Sequence, residues 1–375
     1  MINNLPNGWK VEKLENITEF ITCGVAKRPE YVDESVGIPF LSSKNVKKNK
    51  IILNDYNYVS IEDYKQLTKY YNPQKGDILY TRVGSFGEAV VINIDLRFAI
   101  FVSLTIIRAK QNIINSYYLS NFLNSNYIRQ IAMEKARGIG VKNLNVSDVR
   151  EYKIPIPPLQ QQEKIVKVLD LTSNLIEKQK ELLKKYDLFL KSKFIEMFGD
   201  PITNPMGWEV VNFEDIMVLQ RGYDLPINDR AYGNIEVYGS NGVLDYHSEA
   251  KVKNGGVITG RSGTLGKVHY TLGDYWPLNT TLFSKDLKGN NIIYLAYFLE
   301  MFKVERFSQG AGVPTLNRNL VHKEKTYKVP LELQNKFASI VEKIETIKEK
   351  ENQKLKQFED LHNSMMNKAF KGEIK

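Results

Sequence analysis

The sequence predicts an α+β chain in which two repeated mixed domains are separated by two long helices, paired as an antiparallel coiled coil with pseudo-two-fold symmetry. Three observations predict it. The chain says much the same thing twice, each copy opens on short β-like runs broken by glycine turns, and each copy closes on a long charged helical run.

The duplication is read from ordered motifs. Gly8-Trp9 returns as Gly207-Trp208, and Arg82-Val-Gly84-Ser-Phe-Gly87 returns as Arg261-Ser-Gly263-Thr-Leu-Gly266. Gly138 to Asn145 returns as Gly310 to Asn317, and Pro158-Leu159 with Gln162 returns as Pro330-Leu331 with Gln334, both at an offset of 172 residues. The earlier pairs sit at offsets of 199 and 179, so the halves differ by insertions near their starts.

In the first half, Ile38–Leu41, Asp77–Thr81, Ala89–Ile92 and Ser103–Ile107 read as strands between turn signals, and Ser116–Ala136 reads as one helix capped by Ser116. Consecutive prolines at 155, 157 and 158 end the domain by removing backbone donors. From Leu159 to Phe198 there is neither Gly nor Pro, and Val168, Leu175, Leu182 and Phe189 repeat every seven residues beside Leu169, Ile176, Leu183 and Leu190. The second half repeats this grammar through the glycine loop at 260–266, a helix over Asn291–Phe302 and a long helix from Leu331 to Phe370. Gln179 and Glu351 correspond at the common offset, and matched polar residues on a helical seam fix its register. Each stripe is wider than a two-helix seam, which leaves room for further helices to dock. The domain boundaries expected are 1–155, 156–200 for the first long helix, 201–330, and 331–375 for the second.

Composition narrows the function. The 375 residues suffice for two or three domains, and 52 Lys+Arg against 43 Asp+Glu leave a net charge of +9, which favours a polyanionic partner. A single cysteine, Cys23, excludes an internal disulfide. With no basic-apolar leader and no apolar run near the ~20 residues of a membrane span, the cytoplasm is the expected location and no membrane the expectation.

The search for chemistry fails at each motif. Gly260 to Gly266 has the wrong spacing for a nucleotide P-loop and no Ser/Thr after Lys267; Gly138-Ile-Gly140 and Gly310-Ala-Gly312 lack a third glycine. The four histidines show no paired ligand spacing, so no metal site is expected. Asn72-Pro73-Gln74 and Asn204-Pro205-Met206 lack the second proline and aromatic of a base-methylation motif. The chain reads as a binder without catalytic residues or a cofactor of its own.

Basic and amide side chains gather instead in the glycine and strand segments. The candidate DNA-binding residues are Lys44, Asn45, Arg82, Ser85, Arg108, Arg137, Lys142 and Asn143 in the first half. In the second they are Arg221, Asn241, Arg261, Ser262, Thr264, Lys267, Asn279 and Arg318. Arg and Asn pair bidentately with guanine and adenine in the major groove, Lys holds phosphate, and small residues let the backbone approach closely. The candidate partner-binding residues are Leu175, Leu182, Leu183, Ile344, Ile347 and Phe358 on the helical stripes.

The ordered, duplicated set resembles the specificity subunit of type I restriction–modification systems, across essentially the whole chain. The resemblance implies two target recognition domains, each reading one half of a bipartite double-stranded DNA target. It also implies that the helices act as a spacer and dock two modification subunits, which carry S-adenosylmethionine, and that restriction subunits using ATP and Mg can join. Pro314 and Thr315 stand against Lys142 and Asn143, so contacts there do not carry over between halves. Two other readings stay open on the residues alone: a self-contained DNA-modifying enzyme, and a coiled-coil adaptor that binds no DNA.

Overall fold

The computed structural model describes residues 5–26, 29–138, 140, 142–310 and 314–374. Ala311, Gly312 and Val313 of the repeated glycine segment lie outside the described residues. The chain forms two compact units, residues 1–178 with 355–375 and residues 179–354.

In the first unit a four-stranded antiparallel sheet has the order Thr18–Cys23, Leu104–Ala109, Ile78–Thr81, Ala89–Val91. A three-stranded sheet places Ile38–Leu41 between Asn57–Val59, antiparallel, and Ala99–Ile100, parallel. The second unit has the same topology. Its four strands run Val218–Arg221, Thr281–Asp286, Gly256–Gly260, Val268–Thr271, and its three run Gly242–His247, Ile235–Gly239, Tyr275–Pro277. The duplication read from the motifs is therefore a duplication of strand order. The strands expected near 38, 78, 89 and 104 form within a residue or two of their predicted starts.

One expectation is corrected. The single helix over Ser116–Ala136 is two, Ser116–Leu123 and Asn126–Lys135, because the Ser125 hydroxyl accepts from the Ile128 N–H and starts a new helix. The first of the two is capped by Asn115, not Ser116: the Asn115 side chain accepts from the N–H groups of Tyr117 and Tyr118. In the second unit Asn291 caps Ile292–Phe302 through the N–H groups of Ile293 and Tyr294.

The repeated Gly-Trp and Pro-Leu-x-x-Gln motifs turn out to be structural neighbours. The strand after the first Gly-Trp, Lys10–Lys13, pairs with Lys153–Ile156, the strand that leads into the first long helix, Leu159–Phe198. Likewise Glu209–Asn212 pairs with Lys325–Lys328 before the second long helix, Leu331–Phe370. The glutamine then locks each junction. Gln162 is fully buried; its carbonyl accepts from the Asn115 N–H at 2.7 Å and its amide donates to the carbonyls of Ile113 and Pro157. Gln334 repeats the pattern on the Asn291 N–H, the Asn290 side chain and the Val329 carbonyl.

Both helices end inside domain cores, which supplies the partner an isolated helix lacks. In the first unit Ile165 and Leu169 meet Met366, Ala369 and Phe370, whose ring packs edge-on against Phe122 at 4.9 Å. Thr172 shares a 2.7 Å hydrogen bond with His362. In the second unit Phe194 and Phe198 pack on Phe337, and Gln179 donates to the Glu351 carbonyl and carboxylate. Within each unit, rising numbers on one helix thus meet falling numbers on the other, and the segments pair antiparallel. Gln179 and Glu351 are the register pair that the repeat offset singles out.

Candidate nucleic-acid interface

In each unit the sheets end in a cluster of loops, and the topology decides which side chains reach it. In the first unit the edge comprises the turn Arg82–Glu88, the connection Phe101–Ser103 and the paired segments at Arg137 and Asn143. Backbone hydrogen bonds knit them together: Arg82 N–H to the Ser103 carbonyl, Leu144 N–H to the Arg82 carbonyl, and a reciprocal pair between Arg137 and Asn143. Gly84 supplies the left-handed φ of +77° that this turn requires.

The second unit builds the same edge from the turn Arg261–Gly266, Asn279–Thr280 and the short pair Ser308–Gln309 with Thr315–Leu316. Arg261 N–H donates to the Thr280 carbonyl and Leu316 N–H to the Arg261 carbonyl, the counterparts of the bonds at Arg82. Gly260 is obligatory, since a Cβ there would collide with the Thr264 carbonyl.

Backbone equivalence does not extend to the side chains. Arg82 is only 8% exposed; its Nε donates to the Leu144 carbonyl at 2.9 Å and an Nη to the Val102 carbonyl at 3.1 Å. It clamps three loops from within, which replaces the expectation that it reaches DNA. Arg261 is half-buried, and its guanidinium has no hydrogen-bond or ion-pair partner among the described residues.

Two further expectations are corrected in the same way. Asn45 is 1% exposed, and its amide donates to the carbonyls of Ile52 and Asp55. Arg108 forks onto Asp77 at 2.8 Å through both Nε and Nη and covers the Phe20 ring, at the end of its strand remote from the loops. A guanidinium committed to a buried carboxylate is held there by the charge it would leave unpaired.

The other candidates divide by their surroundings. Ser85, Arg137 and Lys142 are exposed at the first edge; Asn143 is half-buried in the reciprocal backbone pair, and Lys44 is exposed but ion-paired with Asp55 at 2.9 Å. At the second edge Lys267 donates to the Asn241 side chain at 2.8 Å, Asn279 donates to Asp224, and Arg221 lies 3.9 Å from the same carboxylate. Ser262 bridges to Thr315, Thr264 is exposed, and Arg318 is exposed in the first turn of the helix Arg318–Lys323. Arg137 and Lys142, then Arg261 and Arg318, are cations that the fold presents without an internal anion among the described residues.

Sequence reasoning missed His269. Its ring sits beside the turn at Gly242, where an added Cβ would lie 3.1 Å from Cε1, and its buried Nε2 has no hydrogen-bond partner among the described residues. Burial, with the neighbouring Lys267 charge, lowers its pKa and favours the neutral imidazole. A lone histidine on a strand carries no signal in the sequence. No group of three or more His, Cys, Asp or Glu that could hold a metal ion is present among the described residues.

Along the helices, Leu175 and Ile347 are exposed, Leu182, Leu183 and Phe358 are half-buried, and Ile344 packs against the second core. Ile344 is thus half-buried, with part of its side chain turned to the second core. The most exposed apolar side chains of the first helix are Leu171 at 66% and Leu188 at 65%, beside rather than within the heptad stripe.

Residues 6–185 and 205–357 match the type I restriction modification DNA specificity domain, so the match falls twice and covers most of the chain. The chain belongs to that family. Two curated relatives come from Methanocaldococcus jannaschii. The type I restriction enzyme MjaIX specificity subunit is 26% identical over 260 residues, 63% of this chain and 58% of the relative. A protein provisionally named the MjaX specificity subunit is 30% identical over 197 residues, 49% of this chain and 44% of the relative. The chain spans about half the length of the curated relatives it matches. The crystal structure of a type I restriction–modification S subunit from M. genitalium shares the fold, with a TM-score of 0.55 at 16% identity over 99% of this chain and 97% of that one. Both specificity domains thus carry the loop edge described above, once in each unit.

Proposed function

We propose that this chain is the sequence-recognition subunit of a type I restriction–modification complex and has no catalytic activity of its own. The recognition domains, residues 1–155 and 201–330, each bind one half of a bipartite DNA target through the loop edge. The helices of 156–200 and 331–375 set the gap and dock two modification subunits. S-adenosylmethionine belongs to those subunits, ATP and Mg to restriction subunits that join them, and the complex works on DNA in the cytoplasm.

The observation that carries this reading is the repetition of one loop edge in two specificity domains, each with cations that have no internal partner among the described residues. Free cations on a close-approaching backbone supply phosphate contacts, and exposed polar side chains beside them supply base contacts. Exchange of residues 1–155 for the first domain of another family member tests it. Methylation mapped by single-molecule sequencing should change in one block only, with the other block and the gap retained. A continuous motif, or a change in both blocks together, overturns the reading.

A further inference from the structure

The two domains share strand order but differ in their connections, and one of these differences lies beside the loop edge. In the second domain Ile235–Gly239 turns into Gly242–His247 through Ser240 and Asn241 alone. In the first, the matching connection from Ile38–Leu41 to Asn57–Val59 runs from Ser42 to Tyr56 and contains a hairpin, Val46–Lys47 paired with Lys50–Ile51. Its root is fixed to the loop edge, because the Ser43 N–H donates to the Ser103 hydroxyl at 2.9 Å and Val46 is fully buried.

The tip reaches the other way, toward the first long helix. Asn49 has a left-handed φ of +58°, a conformation Asn tolerates better than most residues. Its N–H donates to the Ala89 carbonyl, its amide donates to Asn121, and its carbonyl accepts from Asn124 at 2.8 Å. Asn124 in turn bonds both the N–H and the carbonyl of Ala89. Next to it, Lys50 pairs at 2.5 Å with Glu177 of the first long helix. A polar groove of about 330 Å³ lies between the hairpin and the helix and is lined by Asn49, Lys50, Asn121, Asp170, Asn174 and Glu177.

We propose that this hairpin is a strut that sets the tilt of the first recognition domain on the long helices and so helps fix the gap of the bipartite target, with Asn49 and Lys50 as positioning residues. The proposal rests on the recognition function inferred above. The strut joins the loop edge at its root to the first long helix at its tip, so a change at the tip moves the DNA-facing loops without altering a base contact. Charge reversal at Lys50 sets like charges together at Glu177 and displaces the tip, while the core shared with the helices keeps the domain folded.

The test uses the full chain assembled with its modification subunits on a library of targets whose gap is one base pair shorter, native or one longer. Lys50→Glu and Asn49→Ala should leave both block sequences unchanged and raise methylation at a neighbouring gap several-fold relative to the native gap. Lys50→Glu combined with Glu177→Lys should restore the native profile. Should Asn49→Ala fail to fold, the charge reversal and its rescue decide the matter. An unchanged gap profile in folded Lys50→Glu, or a reversal that the second change does not rescue, overturns the strut. Wild-type methylation at a continuous site would instead overturn the recognition function beneath it.

Discussion

Arg82 and Arg261 occupy the same place in the repeat, yet the structure predicts opposite consequences when each becomes alanine. Arg82→Ala removes a buried donor from two backbone carbonyls. Hydrogen bonds from a charged group contribute roughly 1.5–3 kcal/mol each, and partial rehydration of the freed carbonyls brings the loss to about 3 kcal/mol. For a domain of this size that lowers Tm by about 6–12 °C. Arg261→Ala breaks no internal bond of the side chain, so stability should move by less than about 0.5 kcal/mol. Its cost should fall on DNA: about 1–3 kcal/mol at one position of one half-site if it reads a base, or an even weakening with a smaller salt slope if it holds phosphate. Differential scanning fluorimetry of the two variants, with anisotropy titrations of the assembled complex over a salt series, separates the cases. If Arg261→Ala destabilises the chain as much as Arg82→Ala while DNA binding is unchanged, the division of roles is wrong.

Other outcomes follow from the same structure. Replacing Gln162 or Gln334 with Leu leaves three buried groups unpaired at a helix junction and should cost about 2–4 kcal/mol in its own unit, seen as faster amide exchange confined to that unit. Leu188→Glu should preserve the helix, because the side chain is 65% exposed, yet prevent co-purification with the modification subunits; intact assembly with a folded variant would refute docking on that face. His362 has its pKa lowered to about 4 by burial and by Lys48, from an ordinary 6.5. Since the unfolded chain takes up that proton first, the first unit should hold full stability above pH ~6.5 and lose at most ~3 kcal/mol as pH falls to about 4. His362→Gln should flatten that slope in urea titrations across the range.

The sequence made the architecture legible because repetition and heptad spacing are carried by many residues at once. The repeat offset marked Gln179 and Glu351 as matched polar residues of the two stripes, but only the structure shows that these two equivalents meet each other. Side-chain commitments were not legible in the same way. Arg82 and Arg261 look equivalent in the motif, and only the position of the Leu144 and Val102 carbonyls separates a clamp from a free cation. Arg108 and Asn45 read as surface donors because their acceptors, Asp77 and the carbonyls of Ile52 and Asp55, come from other turns of the chain. Leu171 and Leu188 escaped notice because a period of seven describes the seam between two helices and says nothing of a face beside it.

The glutamine at each helix start has a consequence for how such chains diversify. Gln162 is satisfied by one N–H and two carbonyls of the backbone, and Gln334 uses the same backbone positions save for the Asn290 side chain. A socket made almost entirely of main chain is blind to the residues around it. A domain with wholly different loops can plug into the same helix provided its last strand and its capping asparagine follow the same path. Recombination just before Pro158 or Pro330 would then exchange one reading head without redesigning this joint, provided the incoming domain also offers the helix ends an apolar core to enter.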